Sequence, residues 1–206
     1  NNEHLMLEFK KLPSTVLLYL KGMILIAIIS SLNIQADKII TSSMFNLQVF
    51  GFYNLASSLG QTPLILATPL ISFAFPLFSK FSDLTIEHNF LKNLEVFNKV
   101  FYLINIMISA VAFTVLFYTA EILHLWTSNS IPQNIFPAIV FDIRVLVIGT
   151  FFLALQFPLF YLLLSQGKTK YSVIQGVVQL AIGMPILYFC TKYFGLYGVP
   201  IPWLII

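Results

Sequence analysis

The chain has 206 residues, of which 58% are hydrophobic and only 9% charged, with a formal net charge of +3 and a mean hydropathy of +0.89. Ordinary soluble domains carry about 25% charged residues, so this composition cannot supply the polar exterior that water requires and excludes a soluble fold. The scattered basic residues exclude a nucleic-acid surface, and the lone Cys190 excludes an intrachain disulfide or a cysteine metal cluster.

A membrane-crossing helix needs about 20 predominantly apolar residues. The polar start NNEHLMLEFKKLP carries no secretory-signal pattern. The first predicted span covers residues 14–34. Lys21 lies about two turns inside it, either lining a cavity or snorkelling to the near interface. Asp37 and Lys38 close this span at the opposite face, where Asp37 either caps the helix or lines a cavity.

The second predicted span, 49–78, carries Gly60, Pro63, Pro69 and Pro76. Prolines remove backbone hydrogen bonds and kink helices, so these four are candidate hinge residues, with static packing irregularity as the alternative. Between this span and the third, Phe90, Leu91, Leu94 and Phe97 recur at helical spacing. They fit either an interfacial helix or an extension of the third span. The third span is predicted at 100–123, with Asn105 and Ser109 on one face and Glu121 and His124 at its end. Nothing beside Glu121 and His124 completes a metal set.

The fourth span is predicted at 139–164. Asp142 and Arg144 sit near its start and diverge by about 200° around the axis, so at least one turns towards protein or water; Arg144 is the candidate for a cavity or interhelical role. The fifth span, 172–193, carries Gln175 and Gln179 one turn apart, suited to interhelical hydrogen bonds or to a sugar hydroxyl. A further apolar run at 198–206 is read as the opening of a sixth span, and the absence of an initiator Met suggests a longer protein.

Runs such as GMILIAIIS are apolar on every face, which excludes the alternating strands of a barrel. The expected fold is therefore all-α, a polytopic helical bundle forming one domain over 1–206. With the N-terminus inside, the inner loops hold Lys10, Lys11, Lys80, Lys92, Lys99, Lys168 and Lys170, and the outer ones only Lys38 and Lys192. That asymmetry predicts a cytoplasmic N-terminus. No Walker loop, GxSxG elbow, HExxH or catalytic carboxylate pair occurs, so no enzyme, metal or cofactor is expected.

The segments ADKII (36–40), FGFYNLASSLGQ (50–61) and ISFAFPLFSKF (71–81) together resemble the bacterial polysaccharide-unit flippases, the Wzx-type O-antigen and exopolysaccharide translocases of the MATE-like superfamily. EILHLWTSN (121–129), LQFPLFYLLLSQGKTKYSVIQGVV (155–178) and FGLYGVPIPWLI (194–205) continue the resemblance. It implies a twelve-helix transporter of two halves, with this chain as the C-terminal half. It further implies movement of an undecaprenyl-pyrophosphate-linked oligosaccharide across the bacterial inner membrane by alternating access, alongside other polysaccharide assembly proteins. On this reading the substrate-path candidates are Lys21, Asp37, Arg144, Gln175 and Gln179. The alternatives are a multidrug or cation antiporter of the same superfamily, a membrane-bound polymerase or acyltransferase, or a non-functional remnant.

Overall fold

A computed structural model describes residues 14–80, 87–128 and 130–205. Every regular element among them is helical: α1 Ser14–Met44, α2 Leu47–Gly60, α3 Thr62–Lys80, α4 Glu87–Phe117, α5 Thr119–Thr127, α6 Phe136–Ser165, α7 Thr169–Phe194, a 3-10 turn Gly195–Gly198 and α8 Pro202–Ile205. Five helices are long and apolar enough to cross a bilayer. Large apolar side chains such as Leu18, Ile24, Phe73, Ile106 and Phe113 stand on their outer faces. Lipid is the solvent that such surfaces match, and the chain is a multi-pass helical membrane protein.

Three boundaries differ from the sequence expectation. α1 runs ten residues beyond 34, because its polar residues find partners within the fold. Asp37 is buried and accepts a hydrogen bond from the Tyr53 hydroxyl at 2.6 Å, and the Thr41 hydroxyl donates back to the Asp37 carbonyl. The second span breaks into α2 and α3 at Gln61. The third ends at Phe117, and α5 forms a separate short helix after Tyr118.

The break at Gln61 follows from Pro63, which has no N–H to give the Leu59 carbonyl. The Thr62 hydroxyl donates to that carbonyl instead, at 2.8 Å. The Leu64 N–H bonds Gln61 rather than Gly60, and the freed Gly60 carbonyl accepts from the Thr150 hydroxyl of α6 at 2.6 Å. Two threonines thus satisfy the two carbonyls that the break exposes. Pro69 and Pro76 lie inside α3 without ending it. α4 begins at Glu87, so Phe90–Phe97 belongs to an extension of the third span rather than to a separate interfacial helix; part of the connection, 81–86, lies outside the described residues.

α6 is the central helix, packed against α2, α3 and α4. At one level Ile139, Ile143 and Val147 meet Ala56, Ala112, Val115 and Leu123. At another, Ala154 meets Ala67, Ile71, Phe78, Ile104 and Ile108.

The α1–α7 pair forms a second unit, tightly joined within itself but in narrow contact with α6. Its seam is built from small residues, the usual device for close helix approach in lipid. A Cβ on Gly22 would stand 2.5 Å from Thr169 Oγ1, and one on Gly176 2.6 Å from an Ile29 methyl. These contacts advance in step along both helices, so α1 and α7 run in the same direction. Asn33 fastens the seam by donating to the Ile29 and Gly176 carbonyls at 3.1 and 3.2 Å.

Candidate functional site

Because α1 and α7 stand off from α6, a cavity of about 660 Å³ opens between them, within the range of small-ligand pockets. The short α8 closes one side with Pro202 and Trp203. The walls are mainly apolar, from residues such as Ile26, Ile29, Phe152 and Leu187, with polar groups set into them at a few points.

α7 contributes Ser172, Gln175 and Gln179, spaced three and four apart and therefore on one face. Ser172 is buried, and its Oγ has no hydrogen-bond partner among the described residues. α6 contributes Gln156 and Tyr161, and α1 contributes Ser30, Asn33 and Asp37. Both amide hydrogens of Asn33 are spent on the seam.

Asp37 is anchored at the cavity edge. It accepts from the Tyr53 hydroxyl at 2.6 Å and from the Lys38 backbone N–H at 2.7 Å. One carboxylate therefore joins α1 to α2. Two donors on a buried acid help make its burial tolerable. Asp37 thus lies within α1 and at the edge of the cavity, not at a helix end.

Lys21 is exposed on α1, and Arg144 is exposed on α6; neither lines the cavity. Among the described residues no Lys, Arg or His does. Asp142, two residues before Arg144, is the member of that pair that turns inward. It is fully buried, and neither carboxyl oxygen has a hydrogen-bond partner among the described residues. Of the hinge candidates, Gly60 and Pro63 lie buried at the break, and Pro69 and Pro76 are exposed along α3. His124 stacks on Phe136 with ring centroids 4.3 Å apart, and the described residues hold no group of three metal-ligating side chains.

Sequence reasoning missed Tyr53, Gln156, Ser172 and Trp203 as parts of this region. A tyrosine, a glutamine and a tryptophan inside otherwise apolar helices were the available signal, since each carries a polar atom that needs a partner in lipid.

The fold and cavity thus define a polytopic helical membrane protein with a partly polar chamber lined chiefly by α1, α6, α7 and α8. Over 176 residues the chain is 26% identical to a Shigella flexneri protein named "Putative O-antigen transporter", an alignment that takes in 85% of this chain and 40% of that protein. The chain therefore spans well under half the length of this distant relative. No protein-family model and no solved structure matches it.

Proposed function

We propose that this chain is part of a transporter of polysaccharide units, moving an undecaprenyl-pyrophosphate-linked oligosaccharide from the inner to the outer leaflet of the bacterial cytoplasmic membrane. The observation that carries the reading is the chamber between the α1–α7 pair and α6, whose amide and hydroxyl groups lie inside a lipid-facing bundle. Polar groups at membrane depth are expensive and mark substrate pathways. The distant similarity to a named O-antigen transporter supports the same class of cargo.

The architecture suits alternating access. Two tightly packed units meet across a cavity with little direct contact, and rocking of one unit against another around such a site is the common transporter device. The interrupted span at Gly60–Pro63 is the place where α2 can swing relative to α3. The protein works as a transporter and performs no covalent chemistry, with its N-terminal side cytoplasmic.

The antiporter alternative needs a carboxylate free to meet a cationic drug or ion at the cavity. Asp37, the acid that lines it, is engaged by the Tyr53 hydroxyl and the Lys38 backbone N–H. The transport reading is tested with the natural full-length gene in a strain lacking its polysaccharide flippase. Surface polysaccharide should return, and failure to restore it at normal protein levels, together with gained drug resistance, would move the protein to the antiporter class.

A further inference from the structure

We propose that Thr150 on α6 is a two-position hydrogen-bond switch, which lets the break between α2 and α3 change its bend without leaving a buried polar group unpaired. This rests on the transport reading, in which α2 swings relative to α3, and names the residue that permits the swing.

Three acceptors lie within reach of one hydroxyl. Thr150 Oγ1 stands 2.6 Å from the Gly60 carbonyl of α2, 2.8 Å from the Leu146 carbonyl and 3.2 Å from the Val147 carbonyl of its own helix. A threonine hydroxyl carries one hydrogen, so it cannot serve all three fully. The bond to Gly60 crosses between helices, whereas the bond to Leu146 is the back-bond that threonines make within a helix. Thr150 therefore has a second partner in place if the first leaves.

The Gly60 carbonyl has one too. In an ordinary helix it accepts from the N–H four residues on, that of Leu64. Here the Leu64 N–H goes to the Gln61 carbonyl at 3.0 Å, which also accepts from the Ile65 N–H at 3.1 Å. When the Leu64 N–H moves to Gly60, Gln61 keeps Ile65 and Thr150 falls back on Leu146. No group is left without a partner, and the span passes from a three-residue turn at Gln61 to an ordinary proline-kinked helix. The exchange has to conserve pairing because Gly60, Pro63, Leu64, Leu146 and Thr150 are all buried, where an unpaired carbonyl or N–H is costly. Pro63 keeps a bend in both states, since it has no N–H for the Leu59 carbonyl that the Thr62 hydroxyl holds. Gly60 makes the cross-helix bond possible, because a Cβ there would overlap Leu146 Cβ.

The test puts spin labels at Gln48 and Ser79, exposed positions near the two ends of the broken span. The natural full-length protein, with its other cysteines replaced, is held in nanodiscs, and pulsed electron resonance reads the distance distribution between the labels. The parent should show two components. Thr150→Val removes the hydroxyl and leaves the Gly60 carbonyl dependent on Leu64, so the ratio of the second component to the first should rise about fivefold, the effect of one hydrogen bond. Thr150→Ser keeps the hydroxyl and should keep the parent ratio. Pro63→Ala gives Leu59 a backbone donor and should enrich the same component as Thr150→Val while leaving Thr150 untouched. A Thr150→Val distribution identical to the parent's overturns the switch, even if that protein melts earlier, because a fixed cap behaves that way. Thr150→Ser acting like Thr150→Val overturns it as well, as does a Pro63→Ala component that Thr150→Val lacks. Flipping of the lipid-linked unit in vesicles is scored separately. A ratio that follows Thr150 in a protein that does not flip sinks the transport reading and leaves the switch standing. Flipping with a ratio indifferent to Thr150 does the reverse.

Discussion

Two glycines should respond to the same substitution with opposite signs. Gly149 lies on α6 where α8 crosses it. A Cβ there would sit 2.6 Å from the Trp203 carbonyl oxygen, 2.9 Å from Trp203 Cβ and 3.0 Å from its carbonyl carbon. Non-bonded carbon contacts are comfortable at about 3.5–4.0 Å, so α8 must retreat by about half an ångström or more. Two of the three clashing atoms are backbone, which no rotamer change can relieve. Overpacking of this kind costs about 1–3 kcal/mol. Gly51, in α2, has nothing within 4 Å of the position a Cβ would take. Gly51→Ala there only removes a flexible residue from a helix and should stabilise by about 0.5–1 kcal/mol. Denaturant unfolding of the full-length protein in detergent measures both. Gly149→Ala should unfold earlier than the parent and Gly51→Ala later. A Gly149→Ala protein as stable as the parent would refute the close α6–α8 approach, and with it the wall that α8 gives the chamber.

Tyr53→Phe removes the donor at 2.6 Å from Asp37 and should cost about 1–3 kcal/mol, because the acid stays buried while losing a partner; a neutral result in the same unfolding assay would show that water replaces the phenol. For orientation, a cysteine at Ser128 should react with an impermeant maleimide added from outside, and one at Lys170 should not; the reverse pattern removes the inside N-terminus. Lys170 serves better than its neighbour Thr169, which is buried against Gly22 and would resist labelling from either side. Lys21→Ala in the full-length protein should leave polysaccharide export within about twofold, as expected for an exposed lysine whose head reaches water beside its helix; a strong loss rescued by Lys21→Arg would put a cation back on the path.

The presence of the membrane helices was legible because apolar runs of about twenty residues leave few alternatives, and the prolines of the second span announced a disturbance near where α2 gives way to α3. Helix ends were less legible. The polar stretch from Asn33 to Lys38 looks like an exit from the bilayer when each residue is taken alone. It continues as helix because Asn33 is spent on the α7 backbone and Asp37 on Tyr53, partners 143 and 16 residues away. Gln175 and Gln179 were identifiable as a polar pair on one face, but not Gln156 on α6 as a fellow chamber residue, since that depends on how far α7 stands from α6.

The faces of α6 show most clearly where sequence stops. This helix is apolar on all sides, with no stripe to say which side turns inward. Geometry alone requires Asp142 and Arg144 to point apart, yet either could have been the inner one. A pyrophosphate cargo favours placing the basic residue inside. Side-chain reach argues the other way. Arginine has a long apolar stem and can carry its charge out to the interface from a lipid-facing position, whereas aspartate is too short to escape and is sheltered only by protein. Of two opposed ionisable residues near a helix end, the short one therefore turns in. That is the arrangement here, with Asp142 fully buried and Arg144 exposed.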